Sequence, residues 1–277
     1  MREFKGKTAF VTGGASGIGL AMGRAFLQEG MRVMLADIEA DALAQALRDL
    51  SEFGGNVRGV SCDVADPDSV EKAAQESFAA FGKVHVVCNN AGVASAGGID
   101  VISVDNWRWV VDVNLMGVVY GIRSFLPHMR AHGEGGHIVN TASMAGMICG
   151  GLSAYNATKF AVVAISEGLC VQLKPLGIGV SVLCPEYVRT AIGESGRNRP
   201  ARYGAPPPLD PNSAAAAFLA ETRRQIAVGI DPAKVAVRVL AAIRQDQLYI
   251  FTHTGLRQAV GERFAVIQAA MDQVTAS

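Results

Sequence analysis

A tyrosine and a lysine four residues apart, Tyr155 and Lys159, form the pair with the clearest capacity for chemistry in this 277-residue sequence. On a helix, residues at this spacing share one face, so the ammonium could lie beside the phenol. A phenol with its ordinary pKa of about 10 is a poor base at neutral pH, and a nearby cation lowers that pKa. The pair could therefore exchange a proton with an alcohol or ketone oxygen. The same spacing is common on solvated helix faces, so a cofactor site must accompany it.

A glycine-rich turn supplies a candidate cofactor site. Gly13, Gly17 and Gly19 follow the first apolar run of the chain and precede a helical pattern. Glycine lets the backbone turn tightly and approach a pyrophosphate, and the start of the next helix attracts phosphate. The spacing differs from G-x-G-x-x-G, but the mechanics are shared. A turn without a ligand is the alternative; the position at the first strand–helix junction favours dinucleotide binding.

An acidic residue, Asp37, ends the second apolar run, 18 residues after Gly19. A carboxylate at this point can accept hydrogen bonds from the ribose of NAD, and it repels the 2′-phosphate of NADP. Ile38 follows, so no neighbouring cation in the sequence awaits that phosphate. We therefore predict NAD as the cofactor. The alternative is that Asp37 only caps the next helix.

Two further polar residues are candidates for the reaction. Ser143 follows another apolar run, where its hydroxyl could donate to a substrate oxygen or simply form a turn. Asn114 lies among apolar residues of a predicted helix. A buried amide there needs hydrogen-bond partners, and its role could equally be structural.

The elements that position these residues alternate along the chain. Short apolar runs predict seven strands, at 8–11, 32–36, 57–62, 84–88, 137–141, 179–184 and 248–252. Helical patterns separate most of them, including long ones at 104–129 and 153–173. This alternation is typical of a parallel sheet. We predict an α/β protein with a single-domain Rossmann fold over 1–277: a doubly wound, seven-stranded parallel sheet with helices on both faces.

The segment 191–229 interrupts this rhythm with Arg-Pro, Tyr-Gly and Pro-Pro-Pro sequences before an alanine-rich stretch. Long irregular insertions often cover active sites, and this one follows the end of a strand, where open α/β sheets bind ligands. We expect a substrate-binding lid, with a surface loop as the alternative. Its arginines, which are Arg197, Arg199, Arg202, Arg223 and Arg224, are either solvated charges or contacts for an anionic substrate group.

Composition excludes several classes of function. The formal net charge is zero, so there is no footprint for nucleic acid. No apolar run matches a signal peptide or a membrane span. Five widely spaced cysteines predict reduced thiols in a cytoplasmic protein. The histidines lack metal-ligand spacing, so we predict no metal site.

Several motifs together resemble the short-chain dehydrogenase/reductase family, in family order from Lys5 to Thr190. They are TGGASGIG at 12–19, Asp63, NNAG at 89–92, Asn114, Ser143, YNATK at 155–159 and PEYVRT at 185–190. Each is short, but the joint match is specific. The resemblance implies an NAD-dependent alcohol dehydrogenase or ketoreductase.

The resemblance also implies roles for individual residues. Tyr155 would be the general acid/base, and Ser143 would orient the substrate oxygen. Lys159 would lower the pKa of Tyr155 and hold the nicotinamide ribose, and Asn114 would support a water-linked proton relay through Lys159. Asp63 and Val64 would contact adenine, Asn90 would help to hold the cofactor, and Thr190 would bond the carboxamide. The full cofactor set comprises Gly13, Ser16, Gly17, Ile18, Gly19, Asp37, Asp63, Val64, Asn90, Tyr155, Lys159, Pro185, Val188 and Thr190.

The chain departs from the family pattern twice. Glu186 replaces the usual glycine after Pro185, and its carboxylate could contact substrate or point outward. The interval from Ser143 to Tyr155 is one residue shorter than the commonest spacing, which predicts a trimmed loop at 147–151.

The substrate and partners follow from weaker signals. The segment 199–204 and the strand around Tyr249 resemble bacterial enzymes that oxidise bulky benzylic alcohols, such as aryl-ether Cα-dehydrogenases. The alternatives are an NAD-dependent epimerase or dehydratase and a non-catalytic NAD-sensing protein. The helices around Asn114 and Tyr155 are apolar on more than one side, which predicts a homodimer or homotetramer through them.

Overall fold

A seven-stranded, all-parallel sheet forms the centre of the molecule, in a computed structural model that describes residues 1–94, 97–149, 153–205 and 210–274. The strands are β1 (Thr8–Thr12), β2 (Arg32–Asp37), β3 (Val57–Ser61), β4 (Val86–Asn89), β5 (Gly136–Thr141), β6 (Ile178–Cys184) and β7 (Tyr249–Phe251). Their order across the sheet is β3-β2-β1-β4-β5-β6-β7. The order reverses between β1 and β4, and such a switch point opens a crevice at the carboxyl ends of the strands.

Helices cover both faces of this sheet. They are α1 (Gly17–Gln28), α2 (Ala40–Asp49), α3 (Pro67–Phe81), α4 (Val104–Val111), α5 (Gly117–His132), α6 (Ser153–Leu173), α7 (Ala214–Ala227), α8 (Pro232–Gln245) and α9 (Arg257–Asp272). Successive strand residues point to opposite faces. Phe10 of β1 packs with Phe125 and Val162 on one side, whereas Val11 packs with Met22 and Val239 on the other. The predicted doubly wound Rossmann fold is confirmed.

Local signals explain where the crossover helices begin. Asp66 and Pro67 open α3, and the Asp66 carboxylate accepts a hydrogen bond from the backbone N–H of Asp68 at 3.0 Å. Asp231 and Pro232 open α8 in the same way, with a bond from Ala233 at 2.8 Å. An acidic cap followed by proline suits a first helical turn, because it satisfies one free N–H and removes another.

The long helix predicted over 104–129 is interrupted. A π-helical turn, Asp112–Met116, separates α4 from α5, and Asn114 lies at its centre. π-turns frequently occur at functional sites. By length and hydropathy alone, the stretch Val104–His132 could cross a membrane. Here, however, Trp109 and Phe125 lie in the core against the sheet, as in the buried helix of a globular domain.

Two C-terminal features differ from the expectation. Helix α9 was not predicted, because its apolar residues lie all around it and none of them is buried. The segment 191–229 contains two short 3-10 turns, Ile192–Asn198 and Ala201–Tyr203, before α7.

The predicted trimmed loop at 147–151 lies partly outside the described residues, which stop at Cys149 and resume at Ser153.

Candidate active site

A cavity of about 530 Å³ opens at the carboxyl ends of β1, β4, β5 and β6. Fourteen of the sequence-predicted site residues line it: Gly13, Ser16, Gly17, Ile18, Asp37, Asp63, Val64, Asn90, Ser143, Tyr155, Lys159, Pro185, Val188 and Thr190. Gly19 and Asn114 lie behind this lining. The fold therefore brings together residues that are dispersed over most of the chain.

The glycine turn has the geometry that a dinucleotide phosphate requires. Gly13 and Gly17 adopt left-handed backbone conformations, with φ of 63° and 53°. A Cβ atom at Gly19 would lie 2.0 Å from the carbonyl oxygen of Gly13, so only glycine fits there. Helix α1 begins at Gly17 with no acidic residue in its first turn, and Ser16 precedes it without a side-chain cap. The positive end of this helix is thus available to an anion.

Asn90 ties the ends of three strands together beside this turn. Its amide nitrogen donates to the carbonyl oxygen of Thr12 at 3.0 Å, and its amide oxygen accepts a bond from the Thr141 hydroxyl at 3.2 Å. The Thr12 hydroxyl in turn accepts bonds from the backbone N–H groups of Asn90 and Ala91. The position predicted to help hold the cofactor therefore also fixes the mouth of the cavity.

At the other end of the glycine turn, Asp37 is held by two backbone donors. Its carboxylate accepts bonds from Ala15 N at 2.9 Å and from Glu39 N at 3.0 Å. The N-terminal cap of α2 is Glu39, so the alternative in which Asp37 caps that helix is wrong. The bond to Ala15 instead locks the carboxylate against the phosphate turn, at the position expected for a ribose ligand.

Asp63 and Val64 form the neighbouring wall. One carboxylate oxygen of Asp63 accepts a bond from Ala65 N at 3.0 Å, and the other pairs with Arg202 at 2.7 Å. Val64 packs so closely on Gly117 that a Cβ there would lie 3.0 Å from the valine side chain. The predicted adenine wall is thus built from the end of β3 and the start of α5.

The predicted reacting groups meet on α6 and after β5. Tyr155 and Ser143 both line the cavity, and the Ser143 hydroxyl donates to the carbonyl oxygen of Pro185 at 3.4 Å. The Ser143 hydroxyl also accepts a bond from Ala145 N at 3.1 Å. Lys159 is only 2% exposed and donates from Nζ to the carbonyl oxygen of Thr141 at 2.9 Å. Its Nζ lies 5.5 Å from the centroid of the Tyr155 ring.

Burial controls the ionisation of this pair. It raises the pKa of Tyr155, an effect that the nearby Ser143 hydroxyl opposes. It lowers the pKa of Lys159 to about 8. The expectation that Lys159 lowers the pKa of Tyr155 is therefore not met in this structure: desolvation of the phenolate dominates, and the ammonium is directed at Thr141.

Asn114 is fully buried and fastens the loop after β4. Its amide oxygen accepts a bond from Val93 N at 2.8 Å, and its amide nitrogen donates to Val93 O at 2.9 Å. Asn114 and Lys159 flank Gly92, where a Cβ would lie 3.3 Å and 3.6 Å from their polar atoms. The proton relay implied for Asn114 stays a prediction, while its structural role is evident.

The segment after β6 closes the end of the cavity that is predicted to hold the nicotinamide. Thr190 lies against the glycine turn, with its Cγ2 atom 2.9 Å from where a Cβ on Gly17 would be. Val188 pairs with Ile230 in an isolated bridge. The backbone N–H of Glu186 donates to the Thr252 hydroxyl at 3.1 Å, and its carboxylate faces Gly255. That carboxylate has no hydrogen-bond partner within the described part of the chain.

Apart from Arg197, the residues that the segment 191–229 brings to the cavity were not predicted from the sequence. Phe218, Leu219 and Ile226 of α7 line one side, and Arg197 and Asn198 line the other. No local pattern marks them, because their positions depend on how the whole segment folds back. The Tyr203 hydroxyl donates to Asp112 at 2.8 Å, and the Arg199 guanidinium lies 5.2 Å from the Trp109 ring centroid.

The arginines considered for an anionic substrate all have protein partners. Arg197 and Arg202 pair with Glu39 and Asp63. Arg199 donates to Tyr203 O and Gly204 O. Arg223 donates to Gly193 O, and Arg224 pairs with Glu221. These contacts favour the interpretation that the arginines shape the segment. No group of three potential metal ligands occurs among the residues that the structure describes.

Comparisons with known proteins give one answer. The family model described as short chain dehydrogenase matches residues 7–200. The chain is 34% identical over 276 residues to the C alpha-dehydrogenase of a Sphingobium species, covering 99% of this chain and 88% of the relative. It is 35% identical over 260 residues to the 1-deoxy-11-beta-hydroxypentalenate dehydrogenase of Streptomyces avermitilis, covering 93% and 88%.

A solved structure has the same fold over almost the whole chain. A short chain dehydrogenase/reductase from Burkholderia phymatum, in complex with NAD, superposes with a TM-score of 0.93 at 37% identity, covering 98% of this chain and 97% of that one. The resemblance, the fold and the oxidoreductase class predicted from the sequence are confirmed. The chain therefore belongs to the short-chain dehydrogenase/reductase family.

Proposed function

We propose that the protein interconverts a secondary alcohol and a ketone by hydride transfer with NAD(H), with Tyr155 as the general acid/base. The observation that carries this proposal is that Tyr155, Ser143 and Lys159 line the same cavity as the glycine turn. NAD, when bound, accepts the hydride, and NADH supplies it. The chain's own residues then need only hold the substrate oxygen and move one proton.

Each residue of the group has a distinct task in this proposal. Tyr155 gives its proton to the ketone oxygen during reduction and removes it from the alcohol during oxidation. Ser143, in the same cavity, donates to the same oxygen and orients it. Lys159, anchored on Thr141, places a buried cation where a phenolate would form. Asn114 keeps the loop after β4 in place through Val93.

The cofactor would occupy the other half of the cavity. Gly13, Ser16, Gly17, Ile18 and Gly19 would receive the pyrophosphate, Asp37 the adenosine ribose, and Asp63 with Val64 the adenine. Asn90, Tyr155, Lys159, Pro185, Val188 and Thr190 would hold the nicotinamide half. The left-handed glycines and the open start of α1 support this assignment, as does the NAD complex of the Burkholderia relative.

We infer a neutral, largely apolar substrate, including bulky aromatic alcohols or ketones. Ile148, Phe218, Leu219 and Leu256 supply apolar walls. The arginines near the cavity are engaged with protein partners, so none is ready for an anionic group. The sequence resemblance to aryl-ether Cα-dehydrogenases favours the same substrate class, and the chain is similar over 99% of its length to a relative named C alpha-dehydrogenase.

The segment 191–229 acts as a lid in this proposal. Its first part is bound to the cofactor half through Glu39 and Asp63, and α7 flanks the substrate half. An epimerase or dehydratase acting on nucleotide sugars is disfavoured, because such an enzyme would need a large substrate domain. The similarity to dehydrogenases extends over almost the whole chain, so no part of it is left to form that domain. A purely NAD-sensing protein would not need Tyr155, Ser143 and Lys159 together in the cavity.

We further infer a homodimer or homotetramer through α5 and α6. Helix α6 exposes Ala157, Ala164, Gly168 and Val171 on one side, and Val171 is 78% exposed. Small and apolar residues on a solvated face suit helix packing against a second copy. The cytoplasmic location indicated by the sequence stays a prediction.

A substrate panel tests the proposal. The purified protein should oxidise NADH with aryl ketones, more weakly with small aliphatic ketones, and not with carboxylate-bearing ketones. Absence of turnover with every ketone and every secondary alcohol tested, while NADH binds, would favour the sensing alternative.

A further inference from the structure

A cation lies at the adenosine end of the cavity although none follows Asp37 in the sequence. The chain brings Arg197 there from the segment after β6. Its Nε atom donates to Glu39 Oε2 at 3.0 Å, and its Nη2 atom donates to Glu39 Oε1 at 2.6 Å. Asn198 donates to the same Glu39 oxygen at 2.8 Å.

Glu39 is in turn connected to the predicted ribose ligand. Its backbone N–H donates to the Asp37 carboxylate at 3.0 Å, and Asp37, Glu39 and Arg197 all line the cavity. Among the described residues that line this cavity, the other cation is Lys159, which is bonded to Thr141 at the reacting end. Arg197 is therefore the guanidinium positioned to meet a phosphate on the adenosine ribose.

The guanidinium is fully committed in this arrangement. Its Nη1 atom donates to Ala191 O at 3.2 Å and to Glu194 O at 3.0 Å, while the fork formed by Nε and Nη2 grips Glu39. The hydrogen bond from Arg197 also holds the pKa of Glu39 below its usual value, so the carboxylate stays ionised at neutral pH. A forked carboxylate–arginine pair occupies the donors that a phosphate would use.

We propose that Glu39 is a specificity-determining residue that excludes NADP by sequestering Arg197. Two effects act together. The Glu39 carboxylate adds a second negative charge next to Asp37. It also occupies Arg197, the guanidinium that could bind a 2′-phosphate among the described residues that line the cavity. The chain thus contains a guanidinium that could bind the 2′-phosphate of NADP, and a carboxylate that keeps this guanidinium occupied. This inference rests on the proposed function, because it assumes that the cavity binds a nicotinamide dinucleotide.

Dissociation constants for NADH and NADPH, measured by fluorescence titration, test this without turnover. Glu39→Gln keeps the side-chain shape but removes the charge. It should tighten NADPH binding about tenfold, while NADH binding changes less than about threefold. Glu39→Ala should shift the preference in the same direction. Glu52→Gln, which breaks an exposed ion pair with Arg24 elsewhere on the surface, should leave the NADPH-to-NADH ratio unchanged.

A second substitution isolates the contribution of Arg197. In the Glu39→Gln background, Arg197→Gln should abolish the gain in NADPH affinity. In the wild-type background, the same change should leave NADPH binding almost as weak as before. Thermal melts establish that each variant is folded.

The outcomes separate this inference from the proposed function. A gain that disappears in the double variant supports sequestration. No gain in either Glu39 variant, or an equal gain in the double variant, overturns it, because Arg197 would then contribute nothing to phosphate binding. Failure of the wild-type protein to bind NADH at all would instead refute the proposed function.

Discussion

Lys159 donates its Nζ hydrogen bond to the carbonyl oxygen of Thr141 across 2.9 Å, so it anchors α6 to the end of β5. The ammonium is tied to the sheet, and the face of the Tyr155 ring lies 5.5 Å away. The cation is thus held in place next to the reacting group. It loses most of its hydration there, because the side chain is almost fully buried. Function and stability oppose each other at this residue.

Lys159→Met should change how stability depends on pH. Burial lowers the pKa of Lys159 from 10.5 to about 8, so between these values the unfolded chain binds more protons than the folded one. Stability from this group therefore rises with pH across that window, and the penalty is fully present below about pH 8. Its size is on the order of 3 kcal/mol. The variant's free energy of unfolding relative to wild type should be highest near about pH 7 and fall towards about pH 10.

Urea unfolding at several pH values measures this difference, and Lys72→Met is the control because Lys72 is exposed on α3. The control difference should stay flat with pH. A Lys159→Met difference that is equally flat would contradict the assignment of a depressed lysine pKa.

Asn114→Ala should destabilise the protein. It leaves the N–H and the C=O of Val93 without their partners, and Val93 is buried. Two unsatisfied buried groups cost roughly 2–4 kcal/mol. The free energy of unfolding measures this loss, and Asn212→Ala, at an exposed site before α7, should cost little. A loss below about 0.5 kcal/mol at Asn114 would show that the Val93 bonds contribute little to stability.

Phe218→Ala should weaken substrate binding more than cofactor binding. The ring lies on α7, lines the cavity and is 38% exposed without a ligand, so a substrate can bury the remainder. The lost apolar contact amounts to about 1 kcal/mol, which raises KM for an aryl ketone about fivefold. The NADH dissociation constant should stay within about twofold.

The matched control for this variant is Phe264→Ala, on the exposed side of α9. It should alter neither constant. If Phe218→Ala instead weakened NADH and left KM unchanged, α7 would cover the cofactor and not the substrate.

Ala164→Arg should reduce the size of the oligomer. Ala164 is exposed on α6, near Gly168 and Val171. An arginine in a packed helix pair would introduce a buried, unpaired charge. Sedimentation should show a wild-type dimer or tetramer at low micromolar concentration and a smaller species for the variant. Ala44→Arg, on the exposed face of α2, should sediment as wild type. A wild-type monomer at that concentration would refute the oligomer.

The sheet and the phosphate turn could be predicted because their signals are local. Apolar runs buried on both faces identify strands such as β1. The glycines at 13, 17 and 19 mark a tight turn, because other residues would be strained or would clash there. The Tyr155–Lys159 spacing correctly placed both residues on α6. Their burial was not predictable from that spacing, and burial determines the direction in which the pKa of Tyr155 shifts.

The rest depends on contacts between distant parts of the chain. Arg197 meets Glu39 across 158 positions, and Arg202 meets Asp63 across 139. The residue after Asp37 is Ile38, so the local sequence showed no cation near the predicted ribose site, although Arg197 lies there. The π-turn around Asn114 was also hidden, since helix-forming residues surround it.

The proposed reaction requires Tyr155 to transfer the proton. This is tested by single-turnover oxidation of bound NADH by an aryl ketone, compared among wild type, Tyr155→Phe and a control, Tyr120→Phe, whose residue does not line the cavity. We expect Tyr155→Phe to lower the single-turnover rate at least about a thousandfold and to bind NADH within about twofold of wild type, whereas Tyr120→Phe should match wild type. A Tyr155→Phe rate within about tenfold of wild type would show that another group transfers the proton.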